Sequence, residues 1–68
     1  MKAHEQLRGA RTAASLSQEQ AARDLGISLG HYHRIENGKA LPSLELASAI
    51  EFRYQVPASR WVSSSDYD

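Results

Sequence analysis

Apolar residues recur at the three- and four-residue spacing of one helix face in several short stretches of this chain. The first stretch predicts a helix from about Ala3 to Ala14. Leu7, Ala10 and Ala14 on its inward face are apolar, but the same face also carries Arg11. A charge on a buried face is tolerated only beside a partner, so we expect Arg11 to be paired inside the fold.

A second helix is predicted to open at Ser17, because Ser17 and Gln20 have the spacing of a capping box. Gly26 ends it, since glycine tolerates the left-handed backbone angles that are common at helix C-termini. The inward face predicted for this helix consists of Ala21, Ala22 and Leu25. Ser28 follows soon after the glycine and caps a third helix, so the turn between the two helices is very short.

Three further segments complete the pattern. The third helix is predicted from Leu29 to about Glu36 and ends at Asn37-Gly38. A fourth helix starts at Pro42-Ser43 and ends around Phe52, and a shorter fifth helix follows Pro57. The residues expected to be buried in the last two helices are Leu44, Ala47, Ile50, Val56, Trp61 and Val62. The chain is therefore predicted to be all-α, a compact bundle of about five short helices.

Length and composition favour one small domain. The chain has 68 residues and no cysteine, so its stability depends on tight helix packing or on dimerisation rather than on disulfides. We predict a domain over residues 1–62 and a flexible polar tail over 63–68. No apolar run approaches the ~20 residues that span a bilayer, and the first residues are polar, which favours a cytoplasmic protein without membrane contact.

The formal net charge is zero, but the charges are unevenly distributed. Residues 1–40 carry six Lys and Arg against four Asp and Glu, whereas residues 41–68 carry two against four. Neutralisation of phosphates by cations dominates the affinity of most nucleic-acid binders. This distribution would turn the first part of the chain toward phosphate.

The segment Leu25-Gly26-Ile27-Ser28 joins two short helices in a helix-turn-helix layout, in which the second helix can enter the major groove of DNA. The run LSQEQAARDLGISLGHYHRIENGKALPSLELASAI resembles the Cro and phage-repressor family, also called the XRE family. LSQ, LGIS, RIENGK and the Pro-Ser helix start carry the resemblance, which covers about Leu7 to Trp61. It implies a lambda-repressor-like DNA-binding domain that acts as a homodimer on a pseudo-palindromic operator, most simply as a repressor of phage, prophage or mobile-element type.

The resemblance also implies roles for single residues. Gln18 matches a glutamine that grips a phosphate at the start of the second helix. Arg34 has the chemistry for a bidentate contact to guanine, and an ion pair with a nearby acid is the alternative role. The other positions assigned to DNA, in the third helix and the turn that follows it, are Ser28, Leu29, Gly30, His31, His33, Asn37, Gly38 and Lys39. For His31 and His33, a solvated side chain is the alternative, and Gly30 either weakens the helix or permits close approach to DNA.

Two groups of residues are given structural roles. Arg11 and Glu36 match a family pair that ties the first helix to the end of the third by an ion pair. Phe52, Val56 and Trp61 are candidates for the dimer interface, although an aromatic residue such as Phe52 or Trp61 near the end of so small a domain most often closes the core. No cofactor or small-molecule substrate is expected.

Metal binding, catalysis and binding to a partner protein are the alternative functions. His31 and His33 are roughly 200° apart around a helix and cannot chelate one metal ion together. An enzyme is not expected, because no serine or histidine has a paired acid and no phosphate-binding glycine loop is present. A module that binds a partner protein remains an alternative, as does an antitoxin or restriction-modification controller that represses its own gene.

Overall fold

The computed structural model describes residues 2–62, and its regular elements there are all helical. They are α1 (Ala3–Ala13), α2 (Gln18–Leu25), α3 (Leu29–Glu36) and α4 (Leu44–Tyr54), followed by a 3-10 helix at Ala58–Val62. The all-α prediction is confirmed, with a short 3-10 helix in place of a fifth α-helix. The polar tail predicted at 63–68 and the side chain of Val62 lie outside the described part.

Serine caps determine where three of the helices begin. The Oγ atoms of Ser17, Ser28 and Ser43 each accept a hydrogen bond from the backbone N–H three residues later, at 3.1 Å in all three cases. Such caps satisfy N–H groups that have no partner within the helix. Gly26 then ends α2 with φ of 72°, a left-handed angle that costs glycine little. The short turn predicted between α2 and α3 is confirmed.

One core joins all five elements. α1 packs against α3, α4 and the 3-10 helix, and α2 packs against α3 and α4. The largest fully buried apolar side chains are Trp61, Tyr32, Leu7, Ile35, Ile50 and Val56. None of the helices in residues 2–62 is long and apolar enough to cross a membrane.

The predicted burial of Ala47 and Ile50 on α4 is confirmed, and Leu46 and Tyr54 share their buried face. The prediction is wrong for Leu44, which is 80% exposed. Leu44 is the first residue of α4. Ala14, predicted on the inward face of α1, lies just past the end of that helix and is also exposed.

Val56 and Trp61 lie in the core, which confirms their predicted burial and corrects their assignment as candidates for the dimer interface. They are 0% and 1% exposed within a single chain, so neither offers surface to a second copy. Gln55 ends α4 in the left-handed region, with φ of 60°, and this turn precedes the return of the chain over α1. Phe52 is the third candidate for the dimer interface. It lies about one helical turn before Gln55, on the outer side of α4, and is 85% exposed.

Candidate nucleic-acid interface

α3 has one buried side and one exposed side. Tyr32, Ile35 and Glu36 face inward, and each is 0% exposed. The outward residues of α3 are Leu29, Gly30, His33 and Arg34. α2 packs against α3. The four outward residues lie along the exposed side of α3 and form a ridge that is one helix wide.

Arg34 lies on this ridge with an exposed side chain, and the structure gives it no ion pair with any acid of residues 2–62. Gly30 lies one turn before it. A Cβ atom at Gly30 would meet only Arg34 Nη1, at 3.8 Å, which is an ordinary contact. The packing of this chain therefore does not require glycine at position 30.

His31 is half-buried rather than fully outward. Its backbone N–H donates to Ser28 Oγ at 3.1 Å, and its side chain lies beside the start of α4, at a surface cavity of about 300 Å³ that Ser43 and Glu45 also line. His31 thus lies at the edge of the ridge. The Ser28 hydroxyl caps α3 and keeps its own proton available for donation.

Glu36 is a buried carboxylate that joins three helices. Arg11 of α1 donates to it from Nε at 3.1 Å and from Nη2 at 3.0 Å. Gln18 of α2 donates from Nε2 to its other oxygen at 3.0 Å. Arg11 also donates from Nη1 to the Leu16 carbonyl oxygen at 2.8 Å. The structure therefore contains the Arg11–Glu36 ion pair, and it adds Gln18 as a partner that sequence reasoning missed.

The pKa values of the buried groups follow from this arrangement. Burial by itself lowers the pKa of Arg11, but the hydrogen bond and the charge of Glu36 outweigh it, and the pKa is raised. Burial, and after it the charge of Glu36, raises the pKa of Tyr32. The charged Arg11 guanidinium thus remains paired with Glu36, which links α1 to α3.

The family resemblance implies that the turn after α3, at Asn37, Gly38 and Lys39, presents amides and a cation to a phosphate, but its amides are used within the chain. The N–H groups of Asn37, Gly38 and Lys39 all donate to carbonyl oxygens of α3, at 2.8 to 3.1 Å. This is a Schellman-type end, which Gly38 permits with φ of 74°. Of the groups predicted here, the exposed side chain of Lys39 is the cation that can meet a phosphate.

The side chain of Asn37 is also paired within the chain. Its Nδ2 donates to the His33 carbonyl oxygen at 2.9 Å, and its Oδ1 accepts from Arg8 Nη2 at 2.8 Å. The Nε2 atom of the His33 ring lies 3.1 Å from the same Asn37 Nδ2 atom. Arg8 was not among the predicted site residues. No local pattern points to Arg8, because its contact with Asn37 joins residues 29 positions apart.

Two short helices that meet at a glycine turn, with the second presenting one side to solvent, define a helix-turn-helix domain. A helix-turn-helix family model matches residues 7–61. The chain belongs to the Cro and phage-repressor (XRE) family of helix-turn-helix proteins.

A curated relative is the cryptic phage CTXphi transcriptional repressor RstR of Vibrio cholerae serotype O1. The two sequences are 33% identical over 72 aligned positions, which take in all of this chain and 64% of the relative. The chain thus spans a little less than two thirds of the length of that relative. No solved structure gave a significant match.

Proposed function

We propose that this chain is a transcriptional repressor of phage, prophage or mobile-element type that binds a pseudo-palindromic operator as a homodimer. The observation that carries the proposal is the division of α3, whose inner side is buried in the core while Leu29 and Arg34 are exposed on its outer side. Membership of the XRE family and the similarity to a phage transcriptional repressor support it. Such a repressor would act in the cytoplasm, where the DNA is.

In this proposal α3 enters the major groove with its N-terminal turn leading. Arg34 reads guanine through two parallel hydrogen bonds, and Leu29 packs on a thymine methyl group. Gln18 at the start of α2 lies beside the first phosphate. The backbone N–H groups at positions 18 and 19 have no partner within the helix and, with the helix dipole, favour an anion there. Because Glu36 holds the Gln18 amide at 3.0 Å, that side chain is already oriented before DNA binds.

The experiment that tests the proposal measures binding of the chain to the DNA that flanks its own gene, and to a random DNA library. We expect one preferred palindromic sequence. Arg34→Ala should lose ~1 to 3 kcal/mol on that sequence and relax the preference at one base pair of each half-site, while Gln18→Ala should weaken all sequences similarly. Arg53→Ala, which removes an exposed cation at the far end of α4, is the matched control. The proposal is wrong if no sequence is preferred, or if Arg34→Ala binds like the parent.

A further inference from the structure

Arg8 lies outside the helix-turn-helix but reaches the end of α3. Its Nη2 donates to Asn37 Oδ1 at 2.8 Å and lies 3.5 Å from the Glu36 carbonyl oxygen. Its Nε is 3.4 Å from Glu36 Oε1. These contacts hold the guanidinium beside the turn that leads from α3 to Lys39.

The charges at this point do not cancel. One carboxylate, Glu36, faces two guanidiniums. Arg11 is nearer, donates to the carboxylate from two nitrogens and has a side chain that is 13% exposed, whereas the Arg8 side chain is 50% exposed. One positive charge is therefore left over, and it lies on the more exposed Arg8. Its Nη1 has no acceptor among residues 2–62.

A phosphate that approaches the end of α3 needs such a cation. The C-terminus of a helix carries a partial negative charge, which repels anions. The amides of the turn after α3 are all used within the chain, and the Asn37 amide is occupied on both sides. The groups that can still bind a phosphate at this end of α3 are therefore side-chain cations. They are Lys39 and Arg8.

α1 is also held firmly against this turn. A Cβ atom built on Gly38 would lie 3.0 Å from Cε1 of the His4 ring, so α1 and the turn touch directly. Arg8 follows His4 by one helical turn and shares its side of α1. The guanidinium is thus positioned before any ligand arrives, which lowers the entropy lost on binding.

We propose that Arg8 is a phosphate-binding residue, through which α1 contributes one contact to the DNA backbone beside the end of α3. The inference rests on the proposed function and extends it, because it places a contact outside the two helices of the motif. Arg8 reads no base. It fixes the register of the domain on the duplex.

The test is the salt dependence of operator binding by the full chain and its variants. Each phosphate contact steepens the fall of log K with log salt by about 0.9, and the proposed homodimer has one Arg8 in each subunit. Arg8→Gln should therefore lower the slope by about 1.8 and weaken binding roughly 60-fold at 0.1 M salt. Base preferences should be unchanged. Arg8→Lys should keep the slope, because it keeps the charge, and Arg53→Gln should bind like the parent.

The melting temperature of the Arg8→Gln variant shows whether Arg8 also has a structural role. Arg11 and Gln18 still hold Glu36 in the Arg8→Gln variant, so we expect that variant to remain folded. An unchanged slope in Arg8→Gln overturns the inference, whether or not affinity falls, and leaves the proposed function intact if Arg34→Ala weakens binding. A parent chain that prefers no DNA sequence overturns both.

Discussion

Glu36 is fully buried and is the common acceptor for side chains from α1 and α2. A buried carboxylate without partners would cost several kcal/mol in desolvation. Here each oxygen accepts hydrogen bonds, from Arg11, Gln18 or both. The burial of this one residue thus determines where Gln18 and the end of α3 lie relative to each other.

Arg11 and Arg8 both face Glu36, but they should differ in how much they stabilise the fold. Arg11→Ala should lower the free energy of unfolding by about 3 kcal/mol, because it leaves a buried charge largely unpaired. Arg8→Ala is the control and should cost less than about 1 kcal/mol, since its side chain is 50% exposed. Urea unfolding at pH 7 measures both. Similar losses in the two variants would contradict the different roles given to these residues.

In the proposed function, α3 has to be a stable helix and also narrow enough to enter the major groove of DNA. Gly30 lowers the stability of a helix of only eight residues, and no contact within the chain explains its presence, because a Cβ atom there would meet only Arg34 at 3.8 Å. We propose that the reason for this glycine is contact with DNA. A glycine on the outward side lets the helix backbone come close to DNA.

Gly30→Ala should therefore stabilise the fold and weaken DNA binding. We expect a gain of about 0.5 to 1 kcal/mol in the free energy of unfolding, with a loss of operator affinity. Gly9→Ala is the matched control, because Gly9 is an exposed glycine within α1 with nothing within 4 Å of its Cβ position. It should give the same gain in stability and no change in affinity. Tight operator binding by Gly30→Ala would show that close approach is not the reason for the glycine.

At the scale of the whole molecule, apolar surface is left uncovered. The exposed large apolar residues are Leu29, Leu41, Leu44 and Phe52, and Phe52 is 85% exposed. Leu29 belongs to the side of α3 that we assign to DNA, but Phe52 does not. A domain of this size buries a smaller fraction of its surface than a larger one, so association adds stability that the single core lacks.

Phe52 should contribute to the proposed homodimer. Sedimentation velocity should show a dimer for the parent and a monomer for Phe52→Glu, because a charge in an apolar contact is desolvated without a partner. Leu29→Glu is the control, an equivalent change on the other exposed face. It should leave the dimer intact. If Phe52→Glu sediments as the parent does, Phe52 is outside the interface.

Local sequence signals are enough to predict where α2, α3 and α4 begin and where α2 ends. Ser17, Ser28 and Ser43 cap helices through bonds that span three residues, and Gly26 ends α2 through its own backbone angle. Such signals are local, so the chain pattern contains them in full. The position of α3 after a short turn could be predicted from the sequence in the same way. The assignment of α3 to the DNA interface follows from that position.

The contacts that join distant parts of the chain depend on how the helices pack. Gln18 meets Glu36 across 18 positions and Arg8 meets Asn37 across 29, and neither pairing leaves a periodic trace in the sequence. The exposure of Leu44, which the pattern predicted to be buried, likewise depends on the packing of α4. The physical reason is that a partner across the core is set by how helices pack, whereas a cap or a turn is set by the residues beside it.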